Sequence, residues 1–323
     1  MKKLIAMILA VVMVLAMASA VPAAKAEDAT YTIGICQLVQ HAALDAATEG
    51  FMAALTEKLG DSVTFDLQNA QGEPTTCSTI VTGFVANEYD LIMANATPAL
   101  LAAVSATDTI PILGTSVTDY ATALAIDDMD AAVGTGINVS GTSDGVPAQL
   151  YADTLMELIP EAKKVSIVYC SAEPNSVLQA DQFVACMDAI DVKTTVYTFT
   201  DSNDIQAVVT AAIEDADAMY IPTDNTAASN MTIVTNICAP AGIPIICGEE
   251  GMCGAGGLAT VSISYYDIGY VCGEMAYDIL VNGADVSAMP IGYAASPEKK
   301  YNADYAEAIA FEMPEDYVAI VTE

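Results

Sequence analysis

Asp90–Asp119 reads DLIMANATPALLAAVSATDTIPILGTSVTD. Asp90–Ala94 is a short apolar run of strand type, Asn95-Ala96-Thr97-Pro98 is polar and turn-forming, Pro98–Ala106 is helical, and Ile110–Leu113 is a second apolar strand. Strands buried on both faces read as continuous apolar runs, and a helix joining two of them makes the pair parallel. The same alternation extends upstream. Tyr31–Val39 (YTIGICQLV) and Val63–Leu67 are strand-like, and Thr76–Ala86 is helical. His41–Leu59 carries Leu44, Ala47, Phe51 and Leu55 at helical spacing. The series runs on to a strand expected at Gly134–Val139 (GTGINV).

A second series follows, with strands at Val165–Tyr169, Thr194–Phe199, Ala218–Ile221 and Pro244–Cys247. Helices are expected at Gln149–Leu158, Asn175–Ile190, Asp204–Glu214 and 226–238, then a strand at Ala259–Ser264 and a helix at Tyr266–Val281. Two units of this size are more plausible than one very wide sheet. The fold class is therefore α/β, with two doubly wound parallel-sheet lobes and a hinge between them.

Composition narrows the function. The 323 residues include 42 Asp plus Glu against 9 basic residues, all Lys, for a formal charge of −33. Nucleic acid or an anionic membrane surface is a poor partner for such a chain, because binding either needs Lys and Arg facing phosphates. The missing arginine also removes the usual fork for carboxylates. An anionic ligand group must then be held by backbone N–H groups, hydroxyls or amides.

Met1-Lys2-Lys3 followed by the apolar run Leu4–Met17 and the small residues Ala18-Ser19-Ala20 has the form of a secretory signal peptide. Cleavage is expected after Ala26 or Ala20, which makes the protein exported and extracytoplasmic. Export permits disulfides, and eight Cys is an even number, but their spacing does not say which would pair. With one His and no CxxC, a zinc site has little support.

In doubly wound sheets ligands bind beyond the carboxyl ends of the strands, where helix N-termini converge. Polar clusters sit there: Gln37 and Gln40-His41, Asn69–Gly72, Asn95–Pro98, Ser116–Asp119 and Asn138–Gly141 in the first half. Glu173–Ser176, Asp224-Asn225, Gly248–Glu250 and Ser264–Asp267 follow in the second. Any one cluster is explained by helix capping, since Ser, Thr, Asn and Asp are the preferred caps. Thr97-Pro98 reads as the clearest cap, with Pro at the first helical position, and His41 as a cap, a turn residue or a contact. The set as a whole places facing loops on both halves.

These clusters also carry a family resemblance. IGICQLVQHAALDAATEGF, NAQGE, NATPALLAAV, IPILGTSVTDY, NVSGTSD, EPNS, IPTDN and SYYDIGYVCGEMAYDIL, in that order, resemble the solute-binding proteins of the ABC importer family with tryptophan- and tyrosine-type members. The resemblance spans about residues 31–290; Tyr120 departs from it, standing where the family has Pro. It implies a type I periplasmic binding protein fold with three crossovers. Lobe 1 would comprise 30–139 plus 263–286, and lobe 2 would comprise 140–262 plus 287–323. It further implies a monomer that needs no cofactor, closes on a small ligand, in known cases an aromatic amino acid, and delivers it to ABC permease subunits. Carried onto this chain, the ligand-binding residues are Gln37, Thr97, Thr118, Asp119, Ser140, Glu173, Asn175, Ser176, Asp224, Asn225 and Tyr265.

For a zwitterion, Asp119, Glu173, Asp224 and Glu249 are candidate acceptors for the ammonium, and Thr97, Thr118, Ser140 and Ser176 are candidate donors to the carboxylate. With no Trp, a stacking wall falls to Tyr265 or Tyr266. A receptor-coupled sensor, or a binding protein for a nucleoside or sugar, would use the same architecture. An exported enzyme has less support, because the only histidine is His41 and the chain has no glycine-rich phosphate loop of the GxxxxGK type.

Overall fold

The computed structural model describes residues 30–321; the expected signal peptide lies outside them. The first series comprises β1 (Tyr31–Gln37), α1 (Ala42–Leu59), β2 (Val63–Asn69), α2 (Pro74–Ala86), β3 (Leu91–Asn95), α3 (Thr97–Ala106), β4 (Ile112–Val117), α4 (Tyr120–Leu124) and β5 (Val139–Ser143). The second comprises α5 (Ala148–Leu158), β6 (Lys164–Cys170), α6 (Pro174–Asp188), β7 (Lys193–Phe199), α7 (Ile205–Ala212), β8 (Ala218–Ile221), α8 (Asn225–Ala228), α9 (Met231–Cys238), β9 (Ile245–Cys247), α10 (Glu250–Gly256) and β10 (Ala259–Ser262). The chain ends with α11 (Tyr265–Leu280), β11 (Gly292–Tyr293), β12 (Glu298–Tyr301), α12 (Ala303–Ala308) and β13 (Val318–Ala319).

Two sheets result, ordered β11-β5-β4-β3-β1-β2 and β13-β12-β10-β9-β8-β6-β7. Every pairing is parallel except β10 with β12. Alternation along β1 shows why its sequence is apolar throughout. Ile33 and Ile35 pack with Phe51, Leu55 and Cys272 on the α1–α11 side, while Cys36 packs with Phe84 and Leu100 on the α2–α3 side. All eight cysteines are free thiols. No helix among the described residues is long and apolar enough to cross a membrane.

The chain passes between the sheets after β5, after β10 and between β11 and β12. Residues 140–143 pair with β4, and 292–293 return to pair with β5, so both segments belong to the first sheet and not to the second lobe. The fifth strand is Val139–Ser143, starting five residues and ending four residues later than the GTGINV run indicated. It is built of small polar residues because its surroundings are tight. A Cβ on Gly141 would lie 2.0 Å from the Gly114 carbonyl and 2.3 Å from the Tyr120 hydroxyl. Tyr120, the departure from the family pattern, is buried there and donates to the Thr142 carbonyl at 3.3 Å.

The expected helix 226–238 is two helices, α8 and α9, and Glu250–Gly256 adds a helix that the sequence pattern did not mark.

Candidate functional site

The carboxyl ends of the two sheets face each other, and three helices start at the cleft between them. α2, α3 and α6 each carry Pro in the first turn, and none has a side-chain cap. Their first N–H groups have no intrahelical acceptor, and the aligned peptide dipoles favour an anion at that end. Thr97 is not the cap of α3 but its first residue. The cap position belongs to Ala96, whose φ of 88° is one that L side chains rarely adopt. Ser116, at the end of β4, has φ 55° and a buried hydroxyl with no partner. Adjacent strained residues at strand ends mark positions that the surrounding structure holds for a purpose.

Between these helix starts lies a cavity of about 380 Å³. Leu38, Val39, Pro74 and Pro98 form its apolar wall, and Glu173, Thr200, Asn225 and Thr226 line its polar side. Deeper, toward the crossovers, His41, Leu44, Asp144, Asp224, Glu249 and Tyr265 surround a small gap.

The carboxylates of this region are not equivalent. Glu173 accepts from Asn225 N at 3.0 Å, Asn225 Nδ2 at 2.7 Å, Thr226 N at 2.9 Å and Thr226 Oγ1 at 2.8 Å. Its lone pairs are filled by α8. Asp224 accepts from Cys170 N at 2.7 Å and, as cap of α8, from Ala227 N at 2.8 Å. Glu249 caps α10 through Gly251 N and Met252 N. Asp119 caps α4 through Thr122 N at 2.7 Å. Asp144 differs from all four. Tyr265 donates to its Oδ2 at 2.7 Å, whereas Oδ1 is buried with no partner of ordinary hydrogen-bond geometry. Burial pushes the Asp144 carboxyl above its usual range, opposed by Tyr265 and the nearby Thr118 hydroxyl.

Burial also raises Asp224, with help from the Glu173 charge, to about 8. It raises Glu249 to about 7. The unfolded values are about 3.9 for Asp and 4.3 for Glu. A carboxyl raised on folding stabilises the fold fully below its unfolded value, and that contribution is lost as pH rises through the folded value. Above about pH 7.5 the sole imidazole is almost wholly neutral in both states, and buried thiols that folding also raises, such as Cys170 and Cys238, act in the same direction as the carboxyls. The melting temperature of the ligand-free protein should therefore fall between about pH 7.5 and 8.5 in differential scanning calorimetry. A midpoint that stays level or rises over that window contradicts the assignment.

The structure gathers some of the residues expected from sequence and disperses others. Thr97 and Asp119 meet Asn175 across the lobes, and Asp224, Asn225 and Tyr265 line the deep gap. Asn175 and Ser176 donate to the Thr223 carbonyl at 2.8 and 3.0 Å, and Asn175 Oδ1 stays buried without a partner. The Thr118 hydroxyl is also buried and unpartnered.

Gln37 is committed to joining β1 to α1. It donates to Val39 O and Asp45 Oδ1 and accepts from Thr48. Ser140 sits at the start of β5 and donates to Met289 O at 2.9 Å, away from the strand end that faces the cleft. Tyr265 is held as the donor to Asp144, and Tyr266 is 39 % exposed and stacks on Tyr270; neither lines the 380 Å³ cavity between the helix starts, whose apolar wall is aliphatic. His41, Ser116 and Asp144 were not among the expected ligand residues. Asp144 follows β5 directly and would have been found by placing that strand correctly.

Two doubly wound lobes joined by three crossovers, with strained strand ends and uncapped helix starts facing across the cleft, define a hinged binding protein. The chain belongs to the ABC transporter substrate binding protein family, which it matches over residues 32–322. A tyrosine-binding protein of Clostridioides difficile (strain R20291) is 35 % identical over 280 residues, which is 86 % of this chain and 80 % of that one. The Streptococcus pneumoniae ABC domain in complex with L-Trp is 29 % identical, superposes with a TM-score of 0.85, and covers 91 % of this chain and 100 % of its own. The ligand-free, open structure of a Clostridium difficile substrate binding protein with adhesive properties is 36 % identical over the same shares but has a TM-score of 0.68. The more similar sequence superposes less well, which is the result that closed lobes in the present structure give. Type I periplasmic binding proteins for 5-methylthioribose and leucine share the fold alone, at 15 % and 14 % identity.

Proposed function

We propose that this protein captures an aromatic amino acid between its lobes, outside the cytoplasm, and presents it to the permease of an ABC importer. The observation that carries the reading is Asp144 Oδ1, a carboxylate oxygen sealed between the lobes with no partner in hydrogen-bond geometry and only the Thr118 hydroxyl nearby, in a chain with no arginine to neutralise it. A buried charge without a partner is expensive, and a ligand ammonium supplies one. The uncapped starts of α2, α3 and α6 and the hydroxyls of Ser116 and Thr118 offer donors to a carboxylate. Leu38, Val39, Pro74 and Pro98 offer an apolar seat for the side chain. The relatives described as binding tyrosine and L-Trp support the aromatic assignment. The N-terminal signal pattern and the family support the extracytoplasmic location.

The test is a thermal-shift screen of protein unfolded and refolded to strip carried ligand, against amino acids, nucleosides and sugars. A ligand that binds only the folded state at 100 times its Kd adds about 2.7 kcal/mol. A raised midpoint with L-tyrosine or L-tryptophan is expected. A rise confined to sugars or nucleosides keeps the fold and removes the amino acid.

A further inference from the structure

His41 is the only histidine in the chain, and it joins the lobes. Its Nε2 lies 3.1 Å from Oδ1 of Asn225, while Nδ1 is buried with no partner. The polarity of that bond is decided one residue further on. Glu173 receives four donors, so it acts as a carboxylate acceptor, and the Asn225 group facing it at 2.7 Å must be the NH₂. Asn225 Oδ1 therefore faces His41 and can only accept. The imidazole must place its proton on Nε2, and Nδ1 is left as a bare acceptor.

We propose that Glu173, Asn225 and His41 form a polarity relay across the closed cleft that fixes the Nε2–H tautomer and makes Nδ1 a second acceptor for the ligand ammonium, beside Asp144. Glu173 and Asn225 are bonded to each other within the second lobe before the ligand arrives, and the His41–Asn225 bond exists only when the lobes meet. Ammonium recognition and closure are thereby one event. The relay rests on the ligand reading above for the identity of the donor, but not for the tautomer.

A protonated ring would present a donor to the ammonium and remove the acceptor. Burial already lowers the imidazole below its ordinary value, opposed by Asn225, Glu173 and Asp45. The titratable groups that face it are Asp45 of its own helix, Glu173 before α6, Asp144 after β5, Asp224 after β8, Glu249 after β9 and Tyr265 at the start of α11. Binding is then favoured above the imidazole value of the ligand-free protein, which burial can only move below the ordinary 6.5, and is lost as pH falls through it.

The test uses untagged, ligand-stripped protein titrated calorimetrically with L-tyrosine and L-tryptophan between pH 5.0 and 7.5, alongside His41→Gln. Glutamine can donate to Asn225 and accept from the ligand but cannot take up a proton. The wild-type affinity should fall relative to the variant, by up to about tenfold per pH unit, once pH drops below the imidazole value of the ligand-free protein. The ring ¹⁵N spectrum, which contains one histidine, should show the Nε2–H tautomer in the complex. An identical acid limb in wild type and variant, or an Nδ1–H ring, overturns the relay. If neither amino acid gives heat with wild type, the aromatic assignment falls. The ring ¹⁵N spectrum with whichever compound the thermal-shift screen finds to bind then decides the relay, upheld by Nε2–H and overturned by Nδ1–H.

Discussion

Asp144→Asn should bind the amino acid ten- to a hundredfold more weakly than wild type while melting at or slightly above the wild-type temperature. The two halves of that result have separate causes. A hydrogen bond to a charged group is worth about 1.5–3 kcal/mol, and about 1.4 kcal/mol is a factor of ten in Kd. The variant retains an oxygen to accept from the Tyr265 hydroxyl, which sits 2.7 Å from Asp144 Oδ2, and its new NH₂ lies beside the unpartnered Thr118 hydroxyl, which can accept. It also removes a carboxyl that burial has raised above its usual range, which relieves the fold at neutral pH. Calorimetric titration with L-tyrosine and L-tryptophan, paired with a melting curve, reads both effects. Unchanged affinity would move the ammonium elsewhere in the cleft.

Asp224→Ala, by contrast, is a poor probe of the ligand, because it takes the acceptor from both Cys170 N and Ala227 N. It should lower the melting temperature whether or not a ligand is present, as removal of a helix cap does at about 0.5–2 kcal/mol. A melting temperature equal to wild type would show that these two bonds do not support α8.

The contrast between Asp224 and Asp144 shows what the sequence could carry. The βαβ rhythm and the polar residues at strand ends were readable, because hydropathy period and turn chemistry are local. The position of β5 was not. Its Val-Ser-Gly-Thr-Ser run is buried against β4 and beneath Tyr120, an environment that selects small residues and erases the apolar signature of a strand. The strand end therefore lies at Ser143 and not at Val139, which puts the sealed carboxylate of Asp144 at the cleft. Glu173, Asp224 and Glu249 were attractive as acidic residues in loops. Only the folded chain reveals that backbone and side-chain donors already fill them. The C-terminal tail gave no pattern because its short strands are ordered by pairing with β10 and β5.

Gly269→Ala should destabilise the protein by about 2 kcal/mol, even though alanine is the better helix former. Gly269 lies in α11 where that helix crosses α1 at backbone contact. An added Cβ would fall 2.0 Å from the Ala47 carbonyl oxygen, and one on Gly50 of α1 would fall 2.1 Å from the Tyr266 carbonyl oxygen. The obstacles are main-chain atoms, so no rotamer change relieves them and the helices must separate. Overpacking of this kind costs about 1–3 kcal/mol or more, against about 0.8–1.0 kcal/mol of helix propensity gained. The clash wins, and it wins at the helix pair that covers Ile33, Ile35, Met93 and Leu113 of the first sheet. Gly83 supplies the control. It sits in α2 with nothing within 4 Å of an added methyl group and no positive φ, so Gly83→Ala should stabilise by about 0.5–1 kcal/mol. Urea titrations of the two variants should bracket wild type. If Gly269→Ala is as stable as wild type, α1 and α11 can move apart without loss, and the close crossing is not what holds the first lobe's outer face.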